Sequence, residues 1–292
     1  MNVTIVGVGK VGGALAIGLS EAGIVIRGLI VRDRSKAKRI RSWLNLDIRV
    51  DDWNSLSGID SEVIIIASGD SQIPSVCESL SKYLRKGQTV LHTSGALSSD
   101  ELYSLKNIGC ETGSLHPLTS ISDPISGSKQ FRGSFFCVEG SRRAASAARK
   151  LAKNLGGKPF VIPKDKKPLY HAAAVMAAGH VTALFDCSLE ALEGCGLDRQ
   201  KGSEILYPLI ASTIENLKSH SPEEAITGTL ARLDLSTFQK HAVALQEVSD
   251  EILRIYLLLG ERTLQIVSRG RHDRKLLNEL RNAILLANES LR

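Results

Sequence analysis

Aromatic side chains are scarce, 4% of the 292 residues. A surface that grips nucleic acid by stacking its bases is therefore not expected. Cysteine is equally sparing. Cys77, Cys110, Cys137, Cys187 and Cys195 are odd in number and no two form a C-x-x-C pair. This argues against a disulfide scaffold or zinc ribbon, and points to small buried hydrophobes in a reducing compartment. No spacing typical of metal ligands joins His92, His116, His171 and His180, so no metal is expected. Long apolar runs are missing too. Ala172–Phe185 is shorter than a bilayer span and contains His180. The opening residues lack a basic start, and glycines, Lys10 and Glu21 interrupt them, unlike a signal peptide. A cytoplasmic chain with no membrane partner is expected. There is no internal repeat and no low-complexity tract.

What is present is ordinary globular composition, 43% hydrophobic and 23% charged, in a length that suits two domains. The net charge of +6 fits an anionic ligand at one site better than a whole-surface hold on nucleic acid. The short basic stretch Arg269–Lys275 reads as solvated surface or an interface rim, and no nucleic-acid partner is expected.

The first half alternates β-rich runs with amphipathic stretches. Candidate strands are Val3–Val8, Val25–Val31, Val63–Ala67, Thr89–Thr93, Thr112–Leu115, Ser134–Val138 and Phe160–Ile162. Several are apolar throughout, as strands covered on both faces are. Candidate helices between them are Val11–Ala22, Ser35–Leu44, Gln72–Leu84 and Arg142–Leu155. Past Pro163 the strand signals fade, and helical patterns cover Tyr170–Glu193, Lys201–Ser219, Ser236–Leu259 and Arg274–Ser290. The expected fold is α/β: an N-terminal domain over 1–163 with a doubly wound parallel sheet, then an all-α domain over 164–292.

Gly7-Val8-Gly9-Lys10-Val11-Gly12 fits G-x-G-x-x-G between an apolar strand and an alanine-rich helix. In that context the glycines serve a tight turn, a close approach to pyrophosphate and close helix packing, with the helix N-terminus aimed at phosphate. About 20 residues on, an NAD site carries an acid for the ribose. Here the run is Val31-Arg32-Asp33-Arg34-Ser35-Lys36. Arg34 and Ser35, with Arg32 or Lys36, suit a 2′-phosphate. Asp33 suits NAD in a shifted register. NADP(H) is the favoured cofactor.

Ligands in such sheets sit beyond the C-terminal strand ends. Ser68 and Asp70 follow one strand end and are expected to border the cofactor, Asp70 also being a candidate cap for the helix from Gln72. Thr93 and Ser94 follow the next, where hydroxyls and amides suit a nicotinamide ribose or a substrate carbonyl. His116, aimed by the proline after it, is a candidate acid or substrate anchor.

Together with the glycine motif and Asp33-Arg34-Ser35, the segments His92-Thr93-Ser94-Gly95-Ala96-Leu97, Ser114-Leu115-His116-Pro117-Leu118, Lys167-Pro168-Leu169-Tyr170-His171-Ala172-Ala173-Ala174-Val175 and Thr227-Gly228 with Arg232, Asp234 and His241 resemble a known family. The chain resembles Rossmann-like proteins carrying a DUF2520 C-terminal domain. These are related to pyrroline-5-carboxylate reductase, ketopantoate reductase and 6-phosphogluconate dehydrogenase. The resemblance implies NADP(H), read by Arg34 and Ser35, and a homodimer built by the C-terminal helices. It implies that Lys167 polarises a carbonyl or moves a proton, with His171 one helical turn later bonding the substrate. It also implies Arg232 as a carboxylate fork and Asp234 as its orienter or the cap of the next helix. Two positions depart from the wider group's pattern, Ala174 where some members use a glutamate and Gly179 in place of an asparagine.

The expected activity is NADPH-dependent reduction of a small carboxylate-bearing carbonyl, a 2-oxo acid of ketopantoate type first. Ser94, His116, Lys167 and His171 would surround the reacting centre. A pyrroline-5-carboxylate-like imine reductase and a non-catalytic NADP(H) sensor or scaffold are the alternatives.

Overall fold

The structure is a computed structural model that describes residues 1–32, 34–44, 48–270 and 273–291, without the side chains of 36, 37, 43 and 44. Asp33, Arg271 and His272, which belong to two of the expectations above, lie outside the described residues, as does the side chain of Lys36. Contacts divide the chain into two compact units, 1–178 and 179–292.

In the first unit, eight strands form one sheet: β1 (Asn2–Val6), β2 (Val25–Ile30), β3 (Arg49–Asp51), β4 (Val63–Ile66), β5 (Thr89–His92), β6 (Glu111–Leu118), β7 (Phe135–Gly140) and β8 (Lys158–Phe160). Their order is β3-β2-β1-β4-β5-β6-β7-β8. All neighbours are parallel except β6 and β7, so the sheet is mostly rather than wholly parallel. The antiparallel step arises because α5 (Pro124–Gln130) follows β6, and β7 runs back beside it. Asp123 caps α5 through the amides of Ile125 and Ser126.

The strands are apolar on both faces because both are covered. Val3, Ile5, Ile65 and Leu91 join one core with residues of α1 (Lys10–Glu21) and α6 (Arg142–Asn154). Val6, Ile64, Ile66 and Val90 join another with α3 (Ile73–Leu80) and α4 (Tyr103–Asn107). Each fully buried aliphatic side chain contributes about 1.5–3 kcal/mol. α2 (Arg34–Leu44) links β2 to β3.

α7 (Lys167–Ala177) belongs to the first unit. The division therefore falls beyond the 163/164 junction expected from composition. Lys167 is fully buried and bonds residues of the β5 and β6 ends, which ties this helix to the sheet. Pro168 suits its first turn, where its missing N–H costs nothing.

The expected single helix Tyr170–Glu193 is two, α7 and α8 (Gly179–Glu193), broken at Ala178. The stretch Lys164–Glu193 is long and apolar enough by length and composition to cross a membrane, with an 18-residue window of mean hydropathy 1.4. It is not one continuous apolar helix, since the helix is interrupted at Ala178 and Lys167 near its start is buried.

The second unit is helical. α9 (Arg199–Ser219) and the short α10 (Pro222–Ala225) follow α8. The expected helix Ser236–Leu259 is interrupted at Ser249, giving α11 (Leu235–Val248) and α12 (Asp250–Val267). α13 (Arg274–Glu289) closes the unit. Leu253, Leu257 and Leu264 on α12 meet Leu277, Leu280 and Ile284 on α13, each set at helical spacing.

Candidate functional site

Gly7 follows β1 with φ +88°, and a Cβ there would stand 2.9 Å from the Ala67 carbonyl oxygen. Only glycine fits that turn. A Cβ on Gly12 would strike the Gly7 carbonyl and lie 3.0 Å from Ala67 Cβ, so glycine lets α1 lie against the strand ends. Gly9 differs: a Cβ there meets nothing within 4 Å. Protein packing does not require glycine at this point, and the space above it is open. Gly9 is also the N-cap of α1, with no side-chain cap and no acid in the first turn. The positive end of the helix dipole is thus uncompensated and suited to an anion.

A cavity of about 360 Å³ runs from Gly7 and Gly9 past Arg32, Trp53 and Ser68 to Ser75. It sits at the C-terminal ends of β1 and β4, where the strand order reverses. The Ser68 hydroxyl is buried without a partner. An orphaned hydroxyl in this cleft fits a bound polyhydroxyl or phosphate ligand. Of the remaining motif side chains, Val8 is buried, Val11 is half-buried and Lys10 is exposed. Arg34 Nε pairs with Asp52 at 2.9 Å, and its Nη2 donates to Ser55 Oγ at 2.5 Å. The Asp52 carboxyl is held below its ordinary range chiefly by the Ser55 amide. Ser35 is exposed at the start of α2.

A second cluster gathers at the ends of β5 and β6 and the start of α7. Lys167 Nζ donates to the Ser94 carbonyl at 3.2 Å and to Ser114 Oγ at 2.8 Å. Burial lowers its pKa. His92 is fully buried, its Nδ1 accepting from the Ser94 amide and its Nε2 lying 3.0 Å from the Ser98 carbonyl. The neutral ring with its proton on Nε2 satisfies both bonds. His116 Nδ1 lies 2.8 Å from the Tyr170 hydroxyl. Burial, then the charges of His171 and Lys167, bring His116 down to about 3; burial and Lys167 bring His92 to about 4. Both imidazoles are neutral at physiological pH. Burial raises the Tyr170 pKa, so its phenol keeps its proton. The His171 ring stands edge-on to His116 with centroids 5.6 Å apart, and His171 Nδ1 is buried without a partner. Phe160 packs against Tyr170, and Lys164 pairs with Asp100 at 2.7 Å, which fixes the approach to α7.

His116, Lys167, His171 and Ser94 are thus brought together, though in altered parts. Lys167 has no exposed surface and lies beneath the Ser94–Gly95 backbone, rather than open to a carbonyl. The Ser94 hydroxyl donates to Asp70 Oδ2 at 2.8 Å and accepts from the amides of Ala96 and Leu97. It knots the loop after β5. Asp70 does not cap a helix from Gln72. Residues Asp70–Gln72 form a 3-10 turn, α3 starts at Ile73, and the Asp70 carboxylate accepts a hydrogen bond from the Ser94 hydroxyl instead. Thr93 is half-buried, its amide donating to the Ile66 carbonyl at 3.0 Å. Sequence reasoning assigned no role to Tyr170 or Gly95. The tyrosine's place next to His171 in Tyr170-His171 was the one available sign.

Arg232 and Asp234 belong to the second unit. Asp234 caps α11, accepting from the Thr237 amide and hydroxyl at 3.0 and 2.7 Å. Arg232 is exposed, and its charge helps lower the Asp234 pKa after those two bonds. In the basic stretch near the C-terminus, Arg269 is paired with Glu223. No group of three or more potential metal ligands occurs among the described residues.

The sequence matches the Rossmann-like domain family over residues 1–117 and the domain of unknown function DUF2520 over 134–263. No curated protein matches it. Among solved structures, it is similar to protein TM1727 from Thermotoga maritima, 23% identical with a TM-score of 0.71, covering 92% of this chain and 100% of that one. BF3122 from Bacteroides fragilis, described as a candidate NADP oxidoreductase, is 18% identical with a TM-score of 0.74, over 90% and 97% of the two chains. A reductive aminase from Aspergillus terreus, in complex with NADPH and ethyl levulinate, is 16% identical with a TM-score of 0.61, over 96% and 98%. At these identities the likeness is one of fold.

Proposed function

We propose that this chain, which matches the Rossmann-like domain over 1–117 and DUF2520 over 134–263, is an NADP(H)-dependent oxidoreductase acting on a small oxo or imino acid. The observation that carries this is the open cradle at Gly9, beside an uncapped helix N-terminus and the orphaned Ser68 hydroxyl. Two of the structural neighbours are described with NADP or NADPH, which favours the same cofactor here. Arg34, held by Asp52 and Ser55, and the cleft-lining Arg32 would take the 2′-phosphate, with Ser35. Gly7, Gly9 and Gly12 would admit the pyrophosphate; Ser68 and Thr93 would bond sugar hydroxyls.

Bound NADPH supplies hydride; the protein positions and polarises. His116 and His171 would contact the substrate. Lys167, sealed beneath Ser94, would act through its charge by keeping His116 and His92 neutral. Asp70 and Ser94 would hold the loop shape. Arg232, in the second unit, is a separate candidate for holding a carboxylate, with Asp234 capping the helix that follows it. The first substrate choice is a 2-oxo acid of ketopantoate type. A cyclic imino acid of pyrroline-5-carboxylate type is second, and the likeness to a reductive aminase favours testing it.

The full burial of Lys167 favours one other reading, an NADP(H)-binding sensor without turnover. One experiment separates them. Purified protein is mixed with NADPH and a panel of ketopantoate, other 2-oxo acids and pyrroline-5-carboxylate, and absorbance at the nicotinamide band is followed. Turnover that falls in Lys167→Ala while NADPH affinity is kept supports the enzyme. Tight binding with no turnover supports the sensor. Failure to bind either nicotinamide nucleotide overturns both.

A further inference from the structure

Gly95 is buried at the end of β5, and its backbone does not require glycine by a positive φ. Its neighbours supply another reason. A Cβ at Gly95 would collide with His171 Nδ1 and stand 2.8 Å from His116 Nε2. Two ring nitrogens from different elements, β6 and α7, therefore converge on one small space above this residue. His171 Nδ1 is buried there without a partner. An unsatisfied buried polar atom costs about 1–3 kcal/mol unless something completes it.

Directly beneath, Lys167 bonds the carbonyl of Ser94, the preceding residue. Among the described residues Lys167 forms no direct ion pair, and the carboxylates of Glu139 and Asp70 act on its buried ammonium only from longer range. Such a charge favours an incoming anion. Tyr170 completes the arrangement. Its phenol has His116 Nδ1 as its partner, and an O–H donated to Nδ1 leaves the ring proton on Nε2, pointing at the space above Gly95.

We propose that Gly95, His116 and His171 form a seat for one sp² oxygen of a small anionic oxo acid, with Tyr170 as the positioning residue that fixes His116 as a donor. The proposal rests on the reductase reading and extends it to the substrate contact. His116 Nε2–H and His171 Nδ1–H, in the neutral tautomer that carries its proton on Nδ1, hold the oxygen. Lys167 supplies a compensating charge from below. Gly95 is the specificity-determining residue, because any side chain there would displace the two rings that form the seat.

The test uses the full chain, ¹⁵N-labelled at histidine and saturated with NADPH, and two unreactive probes. Oxamate carries an amide carbonyl beside a carboxylate; acetate carries the carboxylate alone. Oxamate is expected to shift the ring nitrogens of both His116 and His171. A response to oxamate alone assigns the seat to the carbonyl oxygen, and an equal response to acetate assigns it to a carboxylate oxygen. Gly95→Ala should weaken the probe by about tenfold or more, the loss of one charge-assisted hydrogen bond, with NADPH affinity unchanged. If Gly95→Ala does not fold, His171→Ala should lower probe affinity by a similar factor. Tyr170→Phe should change the His116 ring-proton position while leaving that of His92 unchanged. The seat is refuted if neither ring responds to oxamate, or if Gly95→Ala or His171→Ala binds it as well as the parent. NADPH fluorescence in the same samples keeps the two readings apart. No NADPH binding defeats the cofactor reading, whereas NADPH binding without a ring response defeats the seat alone.

Discussion

Acidification from about pH 7.5 to about pH 5 tests the neutral histidine pair directly. His92 has a folded pKa of about 4 and His116 of about 3, both below the ordinary 6.5. A histidine whose folded pKa is depressed binds more protons when unfolded. Stability is therefore full above about pH 6.5 and falls as the pH drops toward the folded values. At about pH 5 the pH lies ~1.5 units below the unfolded pKa, and at ~1.36 kcal/mol per unit His92 alone costs about 2 kcal/mol. His116 is partly exposed and adds up to the same amount. The carboxylates with depressed values, Asp52, Asp100, Asp123, Glu223, Glu224 and Asp234, lose their contribution only below about pH 4.5. Chemical denaturation at a series of pH values therefore isolates the histidines between these limits. The parent should lose about 2–4 kcal/mol, and His92→Gln should lose about 2 kcal/mol less than the parent over the same range. A flat profile, or an unchanged slope in His92→Gln, refutes the claim that burial and the Lys167 charge hold these rings neutral.

Four further outcomes follow from the geometry. Gly9→Ala should melt like the parent, because its Cβ meets no protein atom, yet bind NADPH at least ~10-fold more weakly; Gly7→Ala should lose about 1–3 kcal/mol of stability, since its φ of +88° and the Ala67 carbonyl both oppose a side chain. Arg34→Ala should lower NADPH affinity about tenfold with little effect on NADH, read by nicotinamide fluorescence, and an equal loss for both nucleotides would remove the 2′-phosphate role. Ile205, Leu209, Ile214 and Leu217 on α9 are exposed, an apolar surface that a second copy of the chain would cover. Sedimentation should give a dimer, converted to monomer by Leu209→Glu with Leu217→Glu, and a parent that sediments as a monomer would remove the homodimer proposal.

Much of the nucleotide half could be read directly. Local rules govern it: apolar runs buried on both faces become strands, and G-x-G-x-x-G between a strand and a helix has one common use. β3 escaped because three residues, Arg49–Asp51, carry no periodicity. β7 was expected as a strand over Ser134–Val138, but its antiparallel direction escaped because β-propensity does not encode strand direction. In the helical half, helix type was legible, but the breaks at Ala178 and Ser249 were not, since neither position carries proline or glycine.

The candidate site divides the same way. Residue types and order alone determined that glycines, arginines, a lysine and histidines would lie at strand ends and at one helix start. Only the tertiary structure decided what each faces. It buried Lys167 beneath Ser94, turned the Ser94 hydroxyl to Asp70, and brought Tyr170 to His116. It also set His116 and His171 around Gly95. These contacts join residues tens of positions apart, and a hydrogen bond depends on orientation within a few tenths of an ångström. Sequence periodicity places a side chain on a face of its element. The packing of β5, β6 and α7 against one another selects its partner.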